Sequence, residues 1–208
     1  MCTIAVCDKR KLTDDELNKC FRSDSDGAGF AYPRDGKVYY AKGFMTVDEL
    51  RQWYGIIPKD TPHVVHFRTH TSGGKSADLT HPYLVSKTSP LRQSGVTSHK
   101  VLFHNGVVSN WKELMVSFYA AKGRKIPTGP WSDTRFAAVL LERLGEEVFS
   151  MLTGRWVTVA KTGEIHLYGD YTRSNGVLFS NMAHAYCYKS YKSKLYSSEY
   201  WRTYDWER

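Results

Sequence analysis

Cysteine is scarce in this chain. Its four copies, Cys2, Cys7, Cys20 and Cys187, form no CxxC pair. That spacing excludes a ribbon-type zinc site and a dense secreted disulfide framework, so reduced thiols are expected. Long apolar runs are lacking as well. The segment MCTIAVCDKRK has too few apolar residues before Asp8 for a signal-peptide core, and no later stretch approaches a membrane span. These absences predict a cytoplasmic protein with no membrane partner. No block of five like charges occurs, although the net charge is +8. Such a charge favours an anionic partner, but a solvated basic surface accounts for it as well as a nucleic-acid face does. A phosphate loop is excluded too: Gly74-Lys75-Ser76 has its ending, but the earlier glycine it requires falls at Thr69.

Hydrophobic residues make up 41% of the chain and charged residues 24%, which is ordinary globular usage and a poor fit to disorder. A length of 208 residues suits one compact domain with a sizeable core. We therefore expect a single domain over residues 1–208, ending in a basic, aromatic segment from about 183 to 208. Six tyrosines and two tryptophans lie between residues 186 and 206. Packing onto the body is the simpler use of those rings, and stacking on bases is the alternative.

Short β-prone residues at 3–6 (TIAV) predict a buried strand at the start of the chain. Thr13-Asp-Asp-Glu16 is a capping box, with Leu12 and Leu17 placed as a hydrophobic staple, and predicts a helix to about Phe21. Thr46-Val-Asp-Glu49 opens a second helix to about Tyr54 in the same way. Between them, GFAY and KVYYAKG flank Asp35-Gly36 as a β-hairpin. HVVHFRTH (63–70) and KVLFH (100–104) read as strands, and Thr71 to Lys100 as a long irregular loop. Helices follow from Asn110 to near Gly123 and from Ser132 to Gly145. RWVTVAK, EIHLYGD and GVLFS then read as a meander, so strands bracket paired helices in an α+β order.

Cys2 carries the first chemical signal. Removal of Met1 would leave one residue holding both a thiol and a free α-amine, and an amine of pKa about 8 can accept the thiol proton. Taken alone, a cysteine in a first strand is more often an inert core residue. The weight changes because Cys2, SDGAGFAY, HFRTHTSGG, THPYL, LFHNGVVSNW and WSDTRF occur in that order, with a looser echo in GVLFSNMA. This ordered set resembles the class II glutamine amidotransferases and covers nearly the whole chain.

The resemblance implies a four-layer αββα sandwich of the N-terminal-nucleophile hydrolase type, with Cys2 as nucleophile at the end of a central strand. It makes Asn105 and Gly106 the oxyanion hole: an amide side chain beside a backbone N–H without a Cβ suits that task, although a bare Asn-Gly is usually a turn. By the same resemblance Arg68 binds an α-carboxylate and Asp133 an α-ammonium, the two ends of free glutamine. Thr71 and His81 match residues of the loop that closes over the substrate, where Gly73-Gly74 offers a hinge. Asp26 and Gly27 are expected to shape the pocket. The chain departs from the family here, with Arg68-Thr-His-Thr-Ser-Gly73 in place of Arg-Trp-Ala-Thr-His-Gly. No cofactor is implied. A metal site at His63, His66 and His70 is not expected, because strand alternation puts His63 on the opposite face from the other two.

Three functions follow as expectations. The first is a stand-alone glutaminase that supplies ammonia to a separate synthase. The second is a hydrolase of γ-glutamyl or related small amides that needs no such partner. The third is a catalytically silent copy of the fold with a structural or nucleic-acid-binding role.

Overall fold

The computed structural model describes residues 2–71 and 74–185. Gly73 and the aromatic segment beyond Ala185 lie outside the described residues. Eleven strands among these residues form two antiparallel sheets. The larger has the order β10 (Thr172–Ser174), β11 (Val177–Phe179), β1 (Thr3–Cys7), β4 (His63–Phe67), β2 (Ala28–Arg34), β3 (Lys37–Phe44), β6 (Ser94–Thr97). The smaller has the order β5 (Tyr83–Leu84), β7 (Val101–Asn105), β8 (Arg155–Val159), β9 (Ile165–Tyr168).

Three apolar clusters stack these elements into four layers. Ile4, Val6, Val64, Val101, Phe103 and Val157 meet between the two sheets. On the outer face of the larger sheet, Ala5, Phe30, Val65 and Phe67 pack under α1 (Asp14–Ser23) and α2 (Val47–Tyr54). On the outer face of the smaller sheet, Tyr83, Leu102 and Trp156 pack under α3 (Trp111–Ala120), α4 (Asp133–Leu144) and α5 (Val148–Met151). Strand alternation produces this order, since successive residues of β1 serve opposite cores. The architecture is the αββα sandwich expected from the sequence.

Local signals act as anticipated at several ends. The Thr13 side chain accepts the Glu16 N–H while Glu16 accepts the Thr13 N–H, and Thr46 and Glu49 repeat the exchange. Asp35 and Gly36 both have positive φ, 51° and 66°, as a type I′ hairpin turn requires. Ser132 caps α4 by accepting the Arg135 N–H.

Three expectations are corrected. The strand predicted to reach residue 70 ends at Phe67, because beyond it the Arg68 peptide bonds with Gly27 O and the Asp26 N–H and the chain turns away. The 71–100 segment is not one irregular loop: it holds a 3-10 turn at Ala77–Leu79 and strands β5 and β6. The final meander divides. β8 and β9 pair with each other, whereas GVLFS crosses to the larger sheet and pairs Ala5 with Phe179.

Candidate active site

The order of the larger sheet puts β1 between β4 and β11, so the residue that enters β1 is held inside the sheet and not at its edge. That residue is Cys2. It lines a narrow cleft with Arg68, Thr69, Thr71 and His81 and with His104, Gly106 and Asp133, the last three carried at the end of β7 and the start of α4. Six of the seven residues singled out from the sequence therefore share one wall-to-wall space. Asn105 stands just behind the wall, its Nδ2 donating to Ser180 Oγ at 2.8 Å. An amide nitrogen carries two hydrogens, so one remains after that bond.

The nucleophile's side is held by polar groups. The Cys2 thiol donates to Thr69 O at 3.3 Å, and Asn181 Nδ2 donates to Cys2 O at 2.7 Å. Ser180 Oγ accepts the Ile4 N–H, and Ser180 N returns a bond to Ile4 O, so the SNMA echo fastens the start of β1. Burial pushes the thiol up to about 11, and the nearby Asp24 carboxylate adds to the rise. Arg68 is buried, with Nη1 donating to Gly74 O at 2.9 Å.

The loop after Arg68 is latched at its base. Asp26 Oδ2 accepts both the backbone N–H and the ring Nδ1 of His70, and Lys75 Nζ lies 3.2 Å from Oδ1. Burial of Asp26 opposes ionisation, but these donors prevail and bring its carboxyl down to about 2. Farther on, the chain is bolted to the larger sheet. Lys42 Nζ donates to the carbonyls of Asp78 and Thr80, and the Gly43 N–H reaches Thr80 Oγ1. Gly29 is needed beneath this strap, because a Cβ there would stand 2.1 Å from His81 O. From the sequence alone Gly29 has no role; its use becomes visible once the strap lies across it.

The opposite side is held by packing. The His104 ring stacks on Trp156 at a centroid distance of 3.6 Å, with Nδ1 3.1 Å from Thr134 Oγ1 and Nε2 3.2 Å from Thr153 O. Burial drives its protonation down to about 4, against the pull of Asp133, whose Oδ2 is 3.8 Å away. Asp133 itself accepts the N–H groups of Val108 and Thr134. A Cβ at Gly106 would stand 2.7 Å from His104 Nε2, so close packing demands glycine there.

His81 stacks on His66 at 3.9 Å, and neither of its ring nitrogens has a hydrogen-bond partner among the described residues. Burial lowers the protonation of both rings. His63 lies on the other face of β4, its Nε2 against Tyr54 OH, and His70 is out at the latch, so the three β4-region histidines do not converge. Thr69, His104, Thr134 and Ser132 also line the cleft and were not singled out from the sequence. They sit within HFRTHTSGG, LFHNGVVSNW and WSDTRF, so the motifs contained them without marking them.

No helix among the described residues is long and apolar enough to cross a membrane. No protein-family model matches the chain, and no curated protein sequence does. Solved structures do. One is glutamine phosphoribosylpyrophosphate amidotransferase from B. subtilis complexed with ADP and GMP, with a TM-score of 0.63, 20% identity, and 88% of this chain aligned to 42% of that one. Another is the allosteric regulatory enzyme of purine biosynthesis, with a TM-score of 0.61, 19% identity and the same 88% and 42% coverage. The chain thus spans 42% of the length of these structures. At such identity the likeness is one of architecture alone, and this chain shares the fold of these structures.

Proposed function

We propose that this chain hydrolyses the side-chain amide of glutamine through Cys2, with Met1 removed, and supplies the ammonia to a synthase outside these residues. The observation that carries the proposal is the meeting of Cys2, Arg68, Thr71, His81, Gly106 and Asp133 in one cleft from five separate stretches of chain.

In the proposed reaction the Cys2 thiol gives its proton to its own α-amine, and Sγ bonds to the amide carbon. The oxyanion that forms meets the Gly106 N–H and the remaining Asn105 Nδ2 hydrogen. The proton passes from the amine to the leaving nitrogen, the C–N bond breaks, and ammonia departs from a glutamyl thioester. Water then adds to the thioester, giving glutamate and the free thiol. Arg68 would pair with the α-carboxylate and Asp133 with the α-ammonium, while Thr71 and His81 enclose the chain between. A neutral His104 fits this assignment, since a cation there would compete for Asp133.

The test is intact mass before and after incubation with a glutamine-mimicking diazoketone, together with ammonia release, in wild type and Cys2→Ala. Loss of Met1, a single adduct absent from the variant, and ammonia from glutamine are expected. A retained Met1 with neither adduct nor ammonia would sink the proposal. γ-Glutamyl amides run beside glutamine distinguish a glutaminase from a broader amide hydrolase.

A further inference from the structure

Asp24 ends α1 and is 1% exposed, yet no step above uses it. Its Oδ2 accepts the Thr3 hydroxyl at 2.5 Å and its Oδ1 the Thr69 hydroxyl at 2.6 Å. Thr3 follows the nucleophile in the chain, and Thr69 supplies the carbonyl that receives the Cys2 thiol. One side chain therefore grips both residues that fix the sulfur. The grip alone needs no charge. An asparagine has the same shape, and either threonine can turn its hydroxyl to accept from an amide. A buried carboxylate is the costlier choice, which points to the charge itself as the useful part.

We propose that Asp24 is the positioning residue of the Cys2 nucleophile, fixing the thiol through Thr3 and Thr69 and facing it with a buried negative charge. The proposal rests on the assignment of Cys2 as nucleophile. The charge favours the proton on the Cys2 residue, so the thiol is kept from unproductive reaction, and an ammonium formed when the thiol gives up its proton is stabilised beside it. Other ionisable groups face the same space. Arg68 at the end of β4 works against Asp24 at the thiol, and Asp26 lies in the same turn. His81, His104 and Asp133 line the same cleft.

Iodoacetamide alkylation of Cys2, followed by peptide mass mapping over a series of pH values, tests this without requiring glutaminase activity. Asp24→Asn is expected to move the midpoint of the alkylation profile down by about one pH unit, a roughly tenfold faster rate at a fixed pH below it. A role in packing alone leaves the midpoint in place, and coincident wild-type and Asp24→Asn profiles overturn the proposal. Should Asp24→Asn fail to fold, Thr69→Val removes one arm and leaves the charge. It is expected to change the high-pH plateau rate several-fold while keeping the midpoint, and an unchanged plateau overturns the proposal. Diazoketone labelling of the wild type reports separately on the glutaminase assignment. No labelling together with a shifted Asp24→Asn profile refutes that activity and leaves the role of Asp24 standing.

Discussion

On the Cys2 side of the cleft, position is set by hydrogen bonds among Thr3, Asp24, Thr69, Ser180 and Asn181. On the Asp133 side it is set by the His104–Trp156 stack and by backbone so close that Gly106 and Gly154 admit no Cβ. The first kind of support is sensitive to charge, and the second to volume. The proposed nucleophile chemistry, which needs a tuned proton, sits on the first. The proposed binding of the ammonium end by Asp133, which needs fixed distances, sits on the second. Among the ties between the sides are Asn105 Nδ2 to Ser180 and His66 Nε2 to His104 O.

If the two supports are as separate as this, Trp156→Ala should damage one of them. Emptying the space under His104 is expected to destabilise the protein by about 3–5 kcal/mol and to raise the KM for glutamine, while iodoacetamide still alkylates Cys2 at the wild-type rate below the lowered melting temperature. Parallel loss of alkylation would show that the sides are one unit. A milder probe of the same side is Asp133→Asn, which keeps shape and removes the charge offered to an ammonium. Its glutamine KM should rise by about 10- to 100-fold, the equivalent of about 1.5–3 kcal/mol, with no change in alkylation. An unchanged KM would move ammonium recognition elsewhere.

The smallest effect is expected at the Asp26 latch. Its carboxyl is held at about 2, below its ordinary value, so the stability it lends to the loop is complete above about pH 4. That stability is lost as pH falls through about 2. Hydrogen exchange of the His70, Thr71 and Lys75 amides should accelerate over that acid range, and in Asp26→Asn it should already be fast at neutral pH. Equal exchange in both proteins at neutral pH would remove the latch.

What could be read from the sequence was whatever a few neighbouring residues decide. Thr13 with Glu16, Thr46 with Glu49, and Asp35 with Gly36 act within four residues, and each end fell where its chemistry put it. The ordered motifs also named six residues that meet in the cleft. GVLFS had a strand's composition, but nothing in its five residues says that its partner is β1 and not β9, because pairing is decided by distant chain. Asp24 was hidden for a related reason. In SDSDGAG it is one of two acids in a turn, and only the folded chain shows that Asp26 faces the loop while Asp24 is buried against Thr3 and Thr69.

The place of β1 also bears on how the protein is made. Its two flanking strands are β4 and, much farther along the chain, β11, which ends at Phe179. A nascent chain can pair β1 on one edge while it is still on the ribosome, but the other edge must wait for nearly all the described chain to emerge. Such long-range closure is slow and leaves an unpaired edge available to other chains. Cys2 and the start of β1 thus gain their Asn181 and Ser180 supports only after every strand between them has been made. Truncations that remove β11 should yield an aggregating product and not a folded chain of lowered stability.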